Sequence, residues 1–542
     1  MIACAPMTWQ QNYLGDGGNL WSAAAVAALP IILLFFLIGV RRMAAWKAAL
    51  GALVMAVLVA WRFFGAPGTI IASSFLYGAA FGLFPVCWIV VPAIFLYRVT
   101  LENGRFEVIK DSIAHLTSDA RLQVLLIAFA FGAFLEGAAG FGAPVAIAGA
   151  MLAGLGINRF KASALCLLAN TAPVAFGSIG IPIVTLAGLT KLPLDHLSAA
   201  VGRISPLLSL IVPGYLMVVY CGWRQTRPVL PAVAVISVAF AGVQFVVANY
   251  IGPFLTDILA SLAAILALVV LLQFWQPSDA VAAPPSNQRH RGADIFRAWL
   301  PYLLLVVFVL LWGLGPVKSH LENVTLNFSV PWLHNHVLRV PPVVRTSAPL
   351  EAVFKFNWLS AAGTSCWFAG IVGGLLVGLR PRDLVRVGRD TVRQLAVPVL
   401  TISSVLGFAF LMNYTGLIAT LGLAFAATGW WFPFFSAFLG WLGVFVTGSD
   451  TSSNALFGNL QVITAETLGL NPVLTAATNA AAGVMGKMIS LQSIAVVVAA
   501  TGMPSSDESK LFRWTLRHSL LLTALIGLIV MVYAHLLPHA IP

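Results

Sequence analysis

Charge is scarce in this chain. Of 542 residues only 9% are charged, with 18 Asp or Glu against 30 Lys or Arg. A soluble protein of that length would divide into several domains and need far more charge to solvate them. With 60% hydrophobic residues and a mean hydropathy of +0.94, the sequence is that of an integral membrane protein. Cysteine is equally sparse: Cys4, Cys87, Cys166, Cys221 and Cys366 are scattered, with no CxxC and no metal-ligand spacing. Four lie in or beside apolar runs and read as small buried thiols. HExxH, the P-loop and a dinucleotide fingerprint are all missing, so neither ATP-driven transport nor a cofactor has support. His334 and His336 lack nearby acids or cysteines and read as a solvated pair, not a metal site. The net charge of +12 sits in short loops between apolar runs, which marks topology and not a nucleic-acid surface.

What remains is apolar sequence in long runs. Segments near 22–40, 46–64, 70–97, 162–189, 204–221, 229–251, 254–274, 298–315, 357–379, 395–412, 473–501 and 517–536 are each long enough to cross a hydrocarbon core, about twelve spans in all. The first, Ser22 to Val40, is followed and not preceded by Arg41 and Arg42, so it reads as a retained helix. MIACAP, ahead of Met7, reads as an upstream start or a cloning addition. Two stretches, 122–156 and 432–468, are about 35 residues long with glycine-rich or polar middles.

Placing Arg41–Arg42, Arg224–Arg227, Arg289–Arg291–Arg297 and the run 380–393 on the cytoplasmic side satisfies the positive-inside rule only if both odd stretches enter and leave on one side. They are therefore expected to be re-entrant hairpins, with the 316–356 loop and both termini outside. The polar linker 275–297 separates an N-terminal half, 1–274, from a C-terminal half, 298–542. Polar landmarks recur in the two halves: FLEG at 134–137, LGIN at 155–158 and Asn170 with Gly177, against FVTG at 445–448, LGLN at 468–471 and Asn479 with Gly486. Each half then holds a hairpin followed by a broken helix (162–189 and 473–501), and the parity of spans makes the repeats inverted. Stretches 101–118 and 414–428, before the hairpins, read as amphipathic interface segments. The expected fold is an all-α polytopic membrane protein with about twelve transmembrane helices and two re-entrant hairpins in two inverted repeats.

Irregular backbone at membrane depth survives only where it is buried in protein or lines a wet cavity, and paired discontinuous helices in inverted halves point to a transporter's substrate site. The candidate residues follow. Glu136, in EGAAGFGAP, is a carboxylate deep in apolar sequence, whose desolvation is relieved by a proton or a cation. Gly140 and Gly142 allow close backbone approach. In GSDTSSN, Ser449, Asp450, Thr451, Ser452, Ser453 and Asn454 can cap a half-helix or offer oxygens to a cation or ligand. Asn170 and Asn479 begin the segments expected to break, the first at Pro173, Gly177, Gly180 and Pro182 beside Ser178, the second at Gly483 and Gly486. Freed amides there would attract an anion. Lys487 is an ammonium in an apolar run and must meet Glu136, Asp450 or a substrate carboxylate.

MTWQQNYLGDGGNLW, the long stretch from FGAFLEGAAGFGAP to FGSIGIPI, and GSDTSSNALFGNLQVITAETLGLNPVLTAATNAAAG together resemble the L-lactate permease family of bacterial inner membranes, from Met7 to the last helix. The resemblance implies uptake of the small hydroxycarboxylate anions L-lactate, D-lactate and glycolate with a proton, and ion-coupled transport by inverted repeats with paired hairpins. MIACAP, the linker and the outer loop depart from the family pattern. On this reading Lys487 and backbone amides hold the substrate carboxylate, Ser or Thr near 449–453 or an Asn reads its hydroxyl, and Glu136, or Asp450, carries the proton. Sodium coupling through the second tip, an intramembrane hydrolase using Ser490 with Lys487, and a passive anion channel are the alternatives. The bilayer is the expected environment, oligomerisation is open, and nucleic acid is no partner.

Overall fold

The computed structural model describes residues 8–140, 142–279, 290–344 and 346–542. Cys4, MIACAP with Met7, and the middle of the 275–297 linker including Arg289 lie outside those residues. Among the described residues ten helices are long and apolar enough to cross a membrane, or twelve if each of two bent pairs counts as one span. Several spans outrun their apolar cores. The segments expected at 204–221 and 395–412 are the helices Leu194–Thr226 and Pro381–Tyr414, which carry their flanking arginines in extra turns. The expected span at 357–379 is the shorter helix Ala362–Leu376. The 70–97 span is interrupted: Gly68–Phe81 and Trp88–Glu102 flank an irregular turn, Gly82–Cys87, in which Phe84 leaves helical geometry ahead of Pro85.

The stretch 122–156 folds as two apposed arms. One continuous arm, Ala120–Ala138, is the most deeply interior of the candidate spans. It turns through Gly140 (φ +63°) and Gly142 (φ +82°), conformations that favour glycine, and returns as Ala143–Gly154 in contact with the first arm. The stretch 432–468 does the same with Phe432–Thr447 and Asp450–Leu468, joined at Gly448 (φ +70°). Each returning arm packs on a helix of the other half, Ala143–Gly154 on Leu491–Thr501 and Asp450–Leu468 on Gly177–Thr190.

Both broken helices are present, and their breaks differ in cause. Arg159–Ala169 and Val174–Thr190 meet at 63°. Here Pro173 removes a donor, and Ser178, Ile179 and Gly180 all adopt positive φ. The second pair, Pro472–Lys487 and Leu491–Thr501, bends by 41° after Lys487, where Ser490 caps the new helix by accepting from the Ser493 amide at 3.2 Å. Gly483 and Gly486 therefore do not break this helix, and Asn479 does not begin a break; all three sit within Pro472–Lys487. Their role is packing: a Cβ on Gly486 would run into the Trp441 carbonyl, and the backbone of Asn479 leaves no room for one on Gly440.

Two other expectations change. The helix Leu417–Phe425, in the stretch 414–428, has no lipid-interface face, because Leu417 through Leu423 are buried against Leu20–Phe35 and Asp450–Leu468. The outer loop is not wholly irregular either. Trp9–Gln10 pairs in parallel with Val337–Arg339, which pairs with Ala348–Pro349, while Leu326–Ser329 pairs with Val353–Phe356. Gln11 ties this cap to the membrane helices by donating to the Asn413 and Tyr414 carbonyls at 3.1 and 2.9 Å. At another face buried Arg121 joins Asp119 (2.8 Å), Asp279 (3.0 Å) and the Gln225 carbonyl (3.0 Å), anchoring the first hairpin to the start of the linker. Its guanidinium holds the Asp279 carboxyl below the usual carboxylate range.

Candidate functional site

Residues from four segments meet where the first hairpin turns. Glu136 occupies the last turn of the first arm, and its neighbours leave it short of solvent, at 3% exposure. Lys487, the last residue before the second break, donates from Nζ to Glu136 Oε1 at 2.7 Å. Asn170, the last residue before the first break, donates from Nδ2 to Glu136 Oε2 at 2.9 Å. Each carboxylate oxygen thus has a charged or polar donor, so neither is left without a hydrogen-bond partner. Gly177, at the first break, clears space for it, since a Cβ there would lie 2.7 Å from Oε1. Both helix breaks are therefore bound to one carboxylate.

Asp450 opens the returning arm of the second hairpin and is 3% exposed. Asn454 approaches its Oδ2 at 3.4 Å, while Oδ1 has no hydrogen-bond partner. It lies within electrostatic reach of both Lys487 and Glu136. Gly483 makes room for it as Gly177 does for Glu136, since a Cβ there would sit 2.6 Å from Oδ1 and 2.9 Å from Val444. Gly483→Ala is accordingly expected to destabilise the protein by about 1–3 kcal/mol through overpacking, read as a lowered unfolding temperature in detergent; unchanged stability would contradict this packing.

The other candidates divide between positions beside the acid cluster and positions that brace the hairpins. Ser178 donates to the Ala139 carbonyl at 3.0 Å, stitching the first break to the hairpin turn, directly under Gly140. Gly142 faces Val496 instead of the acid cluster. Ser449 caps its helix by accepting from the Ser452 amide (3.3 Å), Ser453 donates to the Gly440 carbonyl (3.0 Å), and Thr451 is half-buried at the turn. Asn454 spans the halves by donating to the Pro182 carbonyl at 3.1 Å, and its own oxygen accepts from Asn479 at 2.9 Å. Asn479 thus belongs to the scaffold of the second hairpin, while Asn170 touches Glu136.

Sequence reasoning passed over Asp257. It is the second residue of Thr256–Phe274, where an acid reads as an ordinary helix-start residue at the membrane edge. The structure buries it to 1% exposure against Gly137. The signal available was its isolation as the single charge in the 254–274 run. The assembled centre holds three buried carboxylates and one ammonium, and among the described residues no group of His, Cys, Asp and Glu is arranged to hold a metal ion.

A closed set of ionisable groups at two helix breaks, framed by two hairpins inside a bundle of ten to twelve spans, defines a multi-pass membrane protein of the transporter class. The L-lactate permease profile matches residues 23–537, and the chain belongs to that family, in the bacterial plasma membrane. It is 42% identical to an L-lactate permease of Bacillus subtilis over 99% of this chain and 100% of that one. It is 43% identical to the glycolate permease GlcA of Escherichia coli over 98% of each. Among solved structures it is similar to MtrF of Neisseria gonorrhoeae, with a TM-score of 0.49 and 12% identity over 94% of this chain and 95% of that one.

Proposed function

We propose that this chain imports L-lactate and related 2-hydroxymonocarboxylates, D-lactate and glycolate, by proton symport. Family membership and the names of its relatives support the substrate class. The observation that carries the coupling is the 2.7 Å contact between Lys487 and Glu136. Lys487 is the ammonium of the cluster, and a substrate carboxylate that takes it displaces Glu136. A displaced, unpaired carboxylate in this site is unfavourable, so Glu136 takes up a proton as the anion enters. Anion and proton then bind by linkage, each favouring the other. Asn170 and the freed amides of the first break offer donors to the substrate, and Asp450 is a second place for a proton.

We further propose that the halves 1–274 and 298–542 are inverted repeats, each contributing one hairpin and one broken helix to a shared site. The reciprocal packing of each returning arm on the other half's post-break helix supports this arrangement. Proton coupling is favoured over sodium because two of the second turn's hydroxyls are already engaged: Ser449 caps its helix and Ser453 bonds a backbone carbonyl. In sodium-free membrane vesicles, a pH gradient alone is expected to drive lactate accumulation. Accumulation that requires sodium and ignores the pH gradient would sink the proposal, and equilibration without accumulation would indicate a channel.

A further inference from the structure

Asp257 has the environment of a carboxyl that carries a proton. Neither of its oxygens has a hydrogen-bond partner, although the residue is almost fully buried. Nearby Gln244 offers Asp257 only a longer, weaker contact, because its amide nitrogen donates to the Ala172 carbonyl at 3.3 Å and its oxygen accepts from Ser209 at 2.7 Å. No backbone amide at the start of its own helix lies within hydrogen-bond distance of either oxygen. The helix is packed against Gly132–Ala138, Leu125–Phe131, Leu230–Tyr250 and Gly177–Thr190. These elements present one acid, Glu136, and no cation; Tyr250 is at the exposed far end of its helix. Lys487 lies behind Glu136 and is bonded to it, and Asp450 stands on the opposite hairpin. A buried carboxyl with an anionic neighbour, no close hydrogen-bond donor and no ion-pair partner is the kind of group suited to carrying a proton.

Its position gives that proton somewhere to go. Gly137, the residue after Glu136, has no side chain, and a Cβ there would lie 2.9 Å from the Cβ of Asp257. The glycine lets the Asp257 helix close against the arm that carries Glu136, which brings the two acids within electrostatic reach of each other. Asp257 is also in the first turn of its helix, near the end of a membrane span, whereas Glu136 lies at the inner end of a buried arm.

We propose that Asp257 is the proton relay to Glu136, a role that rests on the proton-coupled reading above. As a substrate carboxylate takes over Lys487, the O–H bond of Asp257 breaks and a new O–H bond forms on Glu136. Lys487 keeps its charge and exchanges one carboxylate for another. Asp257 is left as the anion and regains its proton from solvent at the start of its helix.

The test uses Asp257→Asn, which keeps shape and removes the proton, in proteoliposomes. Expected is a loss of pH-driven lactate uptake on the order of a hundredfold, the scale of a positioned proton-transfer group. Lactate counterflow at equal pH should stay within about twofold of wild type, because carboxylate exchange at Lys487 requires no net proton delivery. Pairing that loss with intact counterflow separates a relay from a packing role, which would lower both together. Uptake in the variant with the wild-type rate and pH profile overturns the relay, as does a parallel loss of both activities. A wild-type protein that shows no proton coupling overturns the underlying functional reading instead. Infrared spectroscopy of purified wild-type protein adds a measurement independent of the variant: a protonated-carboxyl band at neutral pH is expected, and its absence overturns the proposal.

Discussion

Lys487→Ala is expected to abolish lactate uptake and to destabilise the protein by about 3–5 kcal/mol, the cost of removing one member of a buried ion pair. Lys487 and Glu136 are both nearly sealed from solvent and 2.7 Å apart. Without the ammonium, Glu136 keeps only Asn170 as a donor, at 2.9 Å. The loss has two separable parts. Removing both charges together, as Lys487→Met with Glu136→Gln, should recover much of the stability while leaving transport abolished, because the cation proposed to hold the substrate is gone. Denaturation of the purified variants reads the first effect and vesicle uptake the second. A single variant as stable as wild type would show that the pair is not closed in the membrane.

Glu136→Gln is expected to abolish pH-driven accumulation while retaining lactate exchange. Glutamine cannot take up a proton, so entry of the anion no longer brings one with it. The sign follows from the competition at Lys487. On the proposed mechanism the wild type binds anion and proton together, so lactate affinity should weaken as pH rises; in the variant, binding should lose that dependence. Binding titrations across pH read this directly. A variant that retains both proton-driven uptake and the wild-type pH slope would remove Glu136 from the mechanism.

Much of this centre was legible in the sequence because lipid leaves few places for polar residues. Glu136 and Lys487 stand out in apolar runs, and the requirement that a buried ammonium meet an acid narrows the partners to a few. The breaks were harder to place. In the first broken helix proline and positive-φ residues mark the bend directly, but in the second the glycines that looked like breaks serve close helix contact, and the bend falls one turn later at Met488–Ser490. Glycine in a membrane helix carries both meanings, and only the facing helix decides between them. Asp257 was missed for a related reason. A helix-start acid is common at a membrane edge, and its burial depends on Gly137 of a hairpin more than a hundred residues away in sequence. For Asn479 the recurring Asn–Gly spacing gave no sign of its bond to Asn454 within the second hairpin, which depends on the facing helix.

Proton uptake on adding lactate to weakly buffered, sodium-free purified protein is the most direct test of the exchange at Lys487. About one proton taken up per lactate bound in the wild type, and none in Glu136→Gln, is the result expected from anion and proton sharing one linkage. Lactate binding by the wild type with no proton uptake would contradict it.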